Sequence, residues 1–193
     1  MKNVLLFAAS NNPESINGKL INYTANLFKK HKTNVLRLQD YPLPVYSPVT
    51  EAEQGIPKNA MLFKDQILRH DAFVISVAEH NRSVTAAFKN TLDWLSRADK
   101  DYSNLLSGKT ILLISTSPSP GGAQTALANA ETILRSFGAS LFTGTISLVN
   151  YFENVSFTSS GMQIRDKNFS DNLNKSVEQL EKNLSLLSSI AVF

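Results

Sequence analysis

Three stretches of small and polar residues, each following an apolar run, have the composition of ligand-binding loops. They are SNNPESIN at residues 10–17, EHNRS at residues 79–83 and SPSPGGAQ at residues 117–124. Hydroxyl, amide and backbone N–H groups suit a polar ligand and, at the start of a helix, a phosphate. The chain has no cysteine and three histidines, so thiolate chemistry is excluded and neither a metal site nor a Ser-His-Asp triad is expected. We therefore expect a cofactor to supply any reactive group and predict no catalytic side chain.

The first loop precedes a helix that we expect to begin near Ile16. Hydroxyl and amide groups surround this helix start at Ser10, Asn12, Ser15 and Asn17. Free N–H groups at a helix N-terminus attract an anion, but a serine at position 15 is also an ordinary N-cap. Taken alone the loop favours capping, and the two roles are compatible.

The third loop combines residues that restrict the backbone with residues that leave it free. Pro118 and Pro120 restrict its backbone, whereas Gly121 and Gly122 would let a ligand approach the backbone closely. A plain turn between a strand and a helix would have the same composition, so this loop alone does not indicate a site.

Strand-like and helix-like segments alternate along the whole chain. Apolar runs predict strands at residues 3–9, 34–39, 72–78, 109–117 and 140–149. Between them, apolar residues fall at helical spacing, and a last helix is predicted from Leu173, Val177, Leu180, Leu184 and Leu187. We interpret residues 41–57 as a Pro-rich loop and the segment after residue 149 as irregular. This alternation predicts one domain over residues 1–193, an α/β fold with a doubly wound five-stranded parallel sheet of order 2-1-3-4-5 and helices on both faces.

In such a sheet, ligands bind beyond the carboxyl ends of the strands, where the strand order reverses. The three polar loops follow the first, third and fourth predicted strands, so they should meet at that edge. Other nucleotide signatures are absent, because no G-x-G-x-x-G follows the first strand and SGKT at residues 107–110 precedes a strand instead of following one. A receiver domain is also excluded, because the acidic residues that it needs after the first and third strands are missing.

The charge and the hydropathy of the chain indicate which classes of partner to expect. The net charge is +3, and the one basic cluster, KKHK at residues 29–32, lies where a helix should end. We therefore expect neither nucleic acid nor a membrane as partner. Without an export signal at the N-terminus we expect a cytoplasmic protein.

Taken together, the loops resemble motifs of the NADPH-dependent FMN reductase family. The first loop is similar to the family's G-S-x-R-x-x-S-x-N motif. AEHNRS followed by FKNTLDW resembles the family's P-E-Y-N-x-S and L-K-N-A-L-D-W. The third loop resembles a Ser- and Gly-rich loop, and LPVY at residues 43–46 resembles L-P-L-Y. The residues that match the first two motifs are Ser10, Ser15, Asn17, Glu79, Asn81, Ser83, Lys89, Asn90, Leu92, Asp93 and Trp94.

The resemblance implies a flavodoxin-like oxidoreductase with FMN as cofactor and NADPH or NADH as co-substrate. The acceptor would be a small molecule such as a flavin, a quinone, an azo compound or a metal oxyanion. The first loop would hold the FMN phosphate and the other two would flank the ring. The implied cofactor-binding residues are Ser10, Asn12, Ser15, Ile16, Asn17, Ala78, Glu79, His80, Asn81, Ser83, Ser117, Pro118, Gly121 and Gly122.

The resemblance also implies a homodimer or homotetramer, with Trp94 as a packing or subunit-contact residue and Lys89 and Asp93 as helix or interface residues. Four positions depart from the family pattern: Ala9, Asn12, Ala78 and His80 stand for Gly, Arg, Pro and Tyr. The missing arginine predicts weaker binding of the phosphate. These departures leave open a non-catalytic module of the same fold that binds flavin or a partner.

Overall fold

The computed structural model describes the backbone of residues 1–190. The side chains of Leu141 and residues 187–190, and the whole of residues 191–193, lie outside that description, including the predicted apolar position Leu187. In chain order the strands are β1 (Asn3–Ala9), β2 (Lys32–Arg37), β3 (Ala72–Val77), β4 (Glu79–His80), β5 (Ser83–Val84), β6 (Thr110–Thr116), β7 (Leu141–Leu148), β8 (Val155–Thr158) and β9 (Gly161–Ile164). The helices are α1 (Ile16–Ala25), α2 (Pro48–Gln54), α3 (Lys58–Arg69), α4 (Ala86–Ala98), α5 (Gln124–Ser136), α6 (Tyr151–Asn154) and α7 (Lys167–Ile190).

Five parallel strands form the central sheet in the order β2-β1-β3-β6-β7. This is the predicted order 2-1-3-4-5 with the strands renumbered, so the flavodoxin-like fold is confirmed. The strands β1, β3 and β6 are buried almost throughout, as expected for parallel strands covered on both faces. The edge strand β2 exposes five of its six residues.

Each face of the sheet has its own apolar core. The residues Leu5 and Phe7 of β1 point to the face covered by α3, α4 and α5. The alternate residues Val4 and Leu6 point to the opposite face, which is covered by α1 and α7. This alternation follows from the two-residue period of a strand. The helices therefore hold the carboxyl ends of β1, β3 and β6, where the three polar loops begin, on a rigid base.

Two regions that were predicted to be irregular contain regular structure. The Pro-rich segment includes α2, which begins at Pro48 behind the N-cap Ser47. Because α2 buries none of its side chains, it has no apolar stripe from which to predict it. Beyond β7, the short helix α6 and the hairpin β8–β9 occupy a segment that was also expected to be irregular.

Candidate functional site

The first loop forms a compact cap on α1. Ser15 is the N-cap, and its Oγ accepts a hydrogen bond from the Gly18 N–H at 3.4 Å. Asn12 Oδ1 accepts from the Glu14 N–H at 3.0 Å, and Ser10 Oγ accepts from the Asn12 N–H at 3.2 Å. The predicted capping role of Ser15 is therefore confirmed, and the loop is shaped by its own polar side chains.

Donors remain at the start of this helix. Within the described residues, no hydrogen bond takes up the backbone N–H groups of Ile16 and Asn17. A cavity of about 750 Å³ lies against the loop and is lined by Ser10, Asn12, Ser15 and Lys19. Free N–H groups at a helix N-terminus, hydroxyl groups and open space beside them are the donor set of a phosphate site. The residues present fit a phosphate group.

Asn17 joins this loop to the strands β3 and β6. The residue is 3% exposed, and its Nδ2 donates to the Thr116 carbonyl at 3.1 Å. Its Oδ1 accepts from the Thr116 N–H at 3.0 Å and from the Ser76 hydroxyl at 2.8 Å. The oxygen and the nitrogen of this amide thus both link α1 to the ends of β3 and β6. The backbone N–H of Asn17 remains available to a ligand at the start of α1.

The second loop is a small hairpin, β4–β5, with a two-residue turn. The turn residues Asn81 and Arg82 have φ angles of 51° and 63°, in the left-handed region that Asn tolerates better than most residues. Ala78, at the base, is buried, whereas His80 and Asn81 are exposed at the tip. The hairpin geometry explains why Asn occupies position 81.

Two side chains, those of Glu79 and Asn129, hold this hairpin against α5. Glu79 Oε2 accepts a hydrogen bond from the Ala126 N–H at 3.2 Å, and the Asn129 amide donates to Ser83 Oγ at 3.4 Å. The N-cap of α5, Ala123, offers no side-chain acceptor. The carboxylate of Glu79 therefore caps α5 from another loop. Its negative charge also interacts favourably with the positive end of the helix dipole.

The third loop is tied to β7 and to the turn that follows it. The Ser117 carbonyl accepts from the Tyr151 N–H at 3.0 Å, and the Gly122 carbonyl accepts from the hydroxyls of Ser115 and Ser147. A Cβ on Gly122 would overlap Ser147 Oγ. The glycine at 122 is thus required by packing against β7, which differs from the close approach of a ligand expected from sequence.

Pro118 and Gly121 occupy the outer part of this third loop. Ser117 Oγ is 2.9 Å from Ser119 Oγ and accepts from the Ser119 N–H at 3.1 Å. A Cβ on Gly121 would come no closer than 3.8 Å to Ser119 Oγ, so space remains beside this residue. The neighbouring Tyr151 is buried, and burial raises the pKa of its phenol.

The second half of the second motif, FKNTLDW at residues 88–94, stabilises the fold. Trp94 is fully buried, and its Nε1 donates to the Pro44 carbonyl at 2.8 Å. Asn90 donates to the same carbonyl at 2.9 Å and accepts from the Tyr46 N–H at 2.8 Å. The predicted packing role of Trp94 is confirmed. Lys89 and Asp93 form an ion pair at 2.5 Å along α4, as helix residues do.

The structure thus links the three predicted loops through side chains at their bases. The cavity of about 750 Å³, however, is lined by the first loop and runs along β2, and within the described residues the second and third loops do not line it. Sequence reasoning missed Lys19, Asn129 and Ser147. Only Lys19 had a signal, because it lies four residues after the N-cap and so shares its helix face.

The described part of the chain offers no ligand set for a metal ion. Across the described residues there is no group of three His, Cys, Asp or Glu side chains placed to hold a metal. His31 and His70 bond to neighbours outside the three loops: His31 contacts the Lys2 N–H and the Glu181 carbonyl, and His70 contacts the Gln66 carbonyl. In residues 1–190 every helix is too short or too polar to cross a bilayer.

Comparison with known proteins identifies the family of this chain. The profile of the NADPH-dependent FMN reductase family matches residues 2–153. The chain is 35% identical over 75 residues to a quinone reductase of Escherichia coli K12, covering 39% of this chain and 38% of that protein. It is 34% identical over 83 residues to an NADPH:quinone oxidoreductase of Arabidopsis thaliana, covering 43% of this chain and 40% of that protein. The matches thus span about two fifths of these curated relatives.

Solved structures extend the likeness of fold to the whole length. FerB, a flavoenzyme NAD(P)H:(acceptor) oxidoreductase from Paracoccus denitrificans, superposes with a TM-score of 0.71 at 24% identity. The superposition covers 96% of this chain and 98% of FerB. It therefore extends beyond residue 153, where the segment matched by the family profile ends.

Proposed function

The chain belongs to the NADPH-dependent FMN reductase family, and from this premise we propose that it is an FMN-dependent oxidoreductase. Its reductant is NADPH or NADH, and its acceptor is a small molecule. The observation that carries this proposal is the pair of N–H groups at the start of α1, which within the described residues have no hydrogen-bond acceptor and lie beside an open cavity. Bound FMN would supply the hydride and electron chemistry that the side chains of this chain lack.

The first loop holds the phosphate in this proposal. Ser10, Ser15 and Asn12 surround the anion, and the N–H groups of Ile16 and Asn17 donate to it. The helix dipole of α1 adds a favourable field. Asn17 further positions the loop, because its amide keeps α1 in place relative to β3 and β6.

The second and third loops orient the flavin ring. The backbone of the hairpin β4–β5 and of the third loop presents N–H and C=O groups to the ring's polar edge and excludes water from it. The residues assigned to this role are Ala78, Glu79, His80, Asn81, Ser83, Ser117, Pro118, Gly121 and Gly122. The Glu79 carboxylate already caps α5, which favours a positioning role and argues against proton transfer by this group.

Titration of apo-protein with FMN tests the cofactor assignment. Bound flavin should lose fluorescence and shift its visible spectrum, with saturation at micromolar FMN. Circular dichroism of the same sample establishes that the protein is folded. A folded sample that does not saturate contradicts the proposal.

Rapid mixing with reduced nicotinamide tests the activity. Under anaerobic conditions NADPH or NADH should bleach the flavin of the loaded protein, and steady-state turnover with a quinone should follow ping-pong kinetics, because one flavin face serves both substrates in turn. If neither nucleotide bleaches bound flavin, the chain is instead a non-catalytic module that binds flavin or a partner.

Quinones are the first acceptors to test. Two curated relatives carry quinone reduction in their names, and a flat aromatic acceptor can stack on a flavin. Free flavin, azo compounds and metal oxyanions are the other acceptors of this proposal. A cytoplasmic location and a single domain over residues 1–193 stay predictions.

We also propose that the protein forms a homodimer or homotetramer through the surface around α2. Val45 is 82% exposed and Val49 is 64% exposed, and Val45 lines a groove of about 520 Å³ with Leu43 and Ala87. Asn90 and Trp94 hold the backbone at Pro44 rigidly, so this apolar surface is ordered before any contact forms. Rigid exposed apolar surface beside a groove is typical of an interface.

Light scattering coupled to size exclusion tests the assembly. The wild type should elute as a dimer or tetramer, and Val45→Asp with Val49→Asp should elute at lower mass. Leu68→Asp is a matched control, because Leu68 is 54% exposed on α3 and outside this surface. A monomeric wild type, or equal dissociation by the control, contradicts the proposal.

A further inference from the structure

The charge of the first loop poses a problem for a phosphate ligand. Among residues 10–17 the only charged residue is Glu14, so the loop brings a negative charge to an anion site. Asn12, which stands where the family pattern has an arginine, uses its Oδ1 to accept from the Glu14 N–H. A cation from outside the loop would remove this conflict.

Lys19 is placed to supply that cation. It lies one turn into α1, and helical side chains tilt toward the N-terminus of their helix. Its Nζ is 3.7 Å from Glu14 Oε2, which puts the ammonium at the level of the first loop. Lys19 also lines the same cavity as Ser10, Asn12 and Ser15.

The other arginine or lysine of that cavity is already paired. Arg37 makes two hydrogen bonds to the Asp40 carboxylate, at 3.0 Å and 2.8 Å. The contact of Lys19 with Glu14 is longer, and the Glu14 side chain is 82% exposed. Loose pairing with an exposed carboxylate leaves Lys19 able to exchange that partner for a phosphate of higher charge.

The hairpin β8–β9 places an aromatic ring beside the ammonium of Lys19. The Phe157 ring centroid is 5.8 Å from Lys19 Nζ, within the range of a cation–π contact. Phe157 lies beyond residue 153, where the family profile ends. This aromatic contact therefore belongs to a part of the chain outside the matched family segment.

We propose that Lys19 binds the phosphate of FMN and replaces the cation that Asn12 lacks, with Phe157 positioning the ammonium and Glu14 opposing it. This inference rests on the proposed function, because it assigns a residue to the cofactor of that function. It also gives a reason for the lysine at position 19, which the family's first-loop motif does not specify.

Equilibrium titration with FMN and with riboflavin tests the inference. Riboflavin has the same ring but no phosphate. In Lys19→Met the Kd for FMN should rise about fivefold to tenfold, as for a partly exposed charged contact, while the Kd for riboflavin stays unchanged. The difference should shrink as ionic strength rises, and Lys19→Arg should retain affinity for FMN.

Three further variants sharpen the result. Lys32→Met removes the same charge from the exposed start of β2, paired with Asn3, and should leave both Kd values unchanged. Glu14→Gln should tighten FMN and not riboflavin. Phe157→Leu should weaken FMN in the wild type but have no effect in the Lys19→Met background, because its contribution passes through the lysine.

The outcomes separate the two proposals. If wild-type protein binds riboflavin and FMN but Lys19→Met changes both equally, or neither, the assignment of Lys19 is wrong and the proposed cofactor stands. If the folded wild type binds no FMN, the proposed function and this inference both fail. Circular dichroism and thermal unfolding of each variant distinguish loss of binding from loss of fold.

Discussion

The side chain of Asn17 pairs with the peptide group of Thr116, donating to its carbonyl at 3.1 Å and accepting from its N–H at 3.0 Å. The two residues are 99 positions apart in the chain. The same Oδ1 accepts from Ser76, so one buried amide fixes the relative positions of α1, β3 and β6. The geometry of the candidate site depends on this amide.

Removal of this amide should destabilise the whole fold. We expect Asn17→Ala to lower the free energy of unfolding by about 2–4 kcal/mol, because buried partners at Ser76 and Thr116 lose their bonds. Urea denaturation measures the change. Asn22→Ala, on the exposed side of the same helix, is the control and should be neutral or slightly stabilising because Ala has the higher helix propensity. Equal loss in both variants would contradict the linking role.

Glu79 should behave as a capping residue. Glu79→Ala should cost about 1 kcal/mol of stability, because the Ala126 N–H at the start of α5 loses its acceptor. Glu79→Gln keeps a side-chain oxygen and should cost less. Anaerobic reduction of the loaded protein should proceed in Glu79→Gln at a rate close to that of the wild type. A large, pH-dependent loss of that rate would instead assign proton transfer to the carboxylate.

The two neighbouring glycines of the third loop should respond very differently. Gly122 has a φ of 61°, and a Cβ there would lie 2.9 Å from Val149 Cγ1 in addition to overlapping Ser147 Oγ. Gly122→Ala should therefore lower stability by about 3 kcal/mol. Gly121→Ala meets only Ser119 Oγ at 3.8 Å and should change stability by less than about 0.5 kcal/mol. Chemical denaturation of the pair checks the prediction, and comparable losses would refute it.

Acid should weaken the fold through Asp71. Burial, the largest influence, would raise the pKa of this carboxyl, but the Asn3 N–H bond and the charges of Lys2 and Lys109 together lower it. A lowered folded pKa means that the stabilisation is complete above the unfolded value of about 3.9 and is lost as pH falls below it. The stability difference between wild type and Asp71→Asn should therefore shrink below about pH 4. Urea denaturation from pH 6 downward measures it, and a constant difference would exclude the role.

The sheet could be predicted because its signals are local. The strands β1, β3 and β6 are buried apolar runs, and the alternation of strands with amphipathic helices predicts a parallel sheet. The predicted bounds of β1 agree with the structure, Asn3–Ala9. In contrast, α2 buries no side chain, so it has no apolar periodicity, and the available signal was the N-cap Ser47 followed by Pro48 at the first helical position. The strand β2 was placed two residues too late because its exposed residues break the apolar run.

The candidate site was predicted as three loops but not as a set of contacts. Position and composition were enough to place residues 10–17, 79–83 and 117–124 at one edge. They could not indicate that Asn17 and Glu79 use their side chains to hold the protein together, because their partners Thr116 and Ala126 are distant in sequence. The cavity along β2 was not predicted for the same reason. Long-range hydrogen bonds leave no periodic trace in a single sequence.

The hairpin β4–β5 has a consequence for how the protein could be diversified. Its contacts with α5 are made by the side chains of Glu79 and Ser83 and by the Arg82 carbonyl, whereas the residues His80 and Arg82 are otherwise exposed. A combinatorial library at these two exposed positions would alter the charge and shape of the tip while leaving the anchoring contacts intact. Only the left-handed backbone at Arg82 limits the choice, and it favours Gly, Asn and Asp. If the proposed function holds, new acceptor preferences could then be selected without first compensating for lost stability.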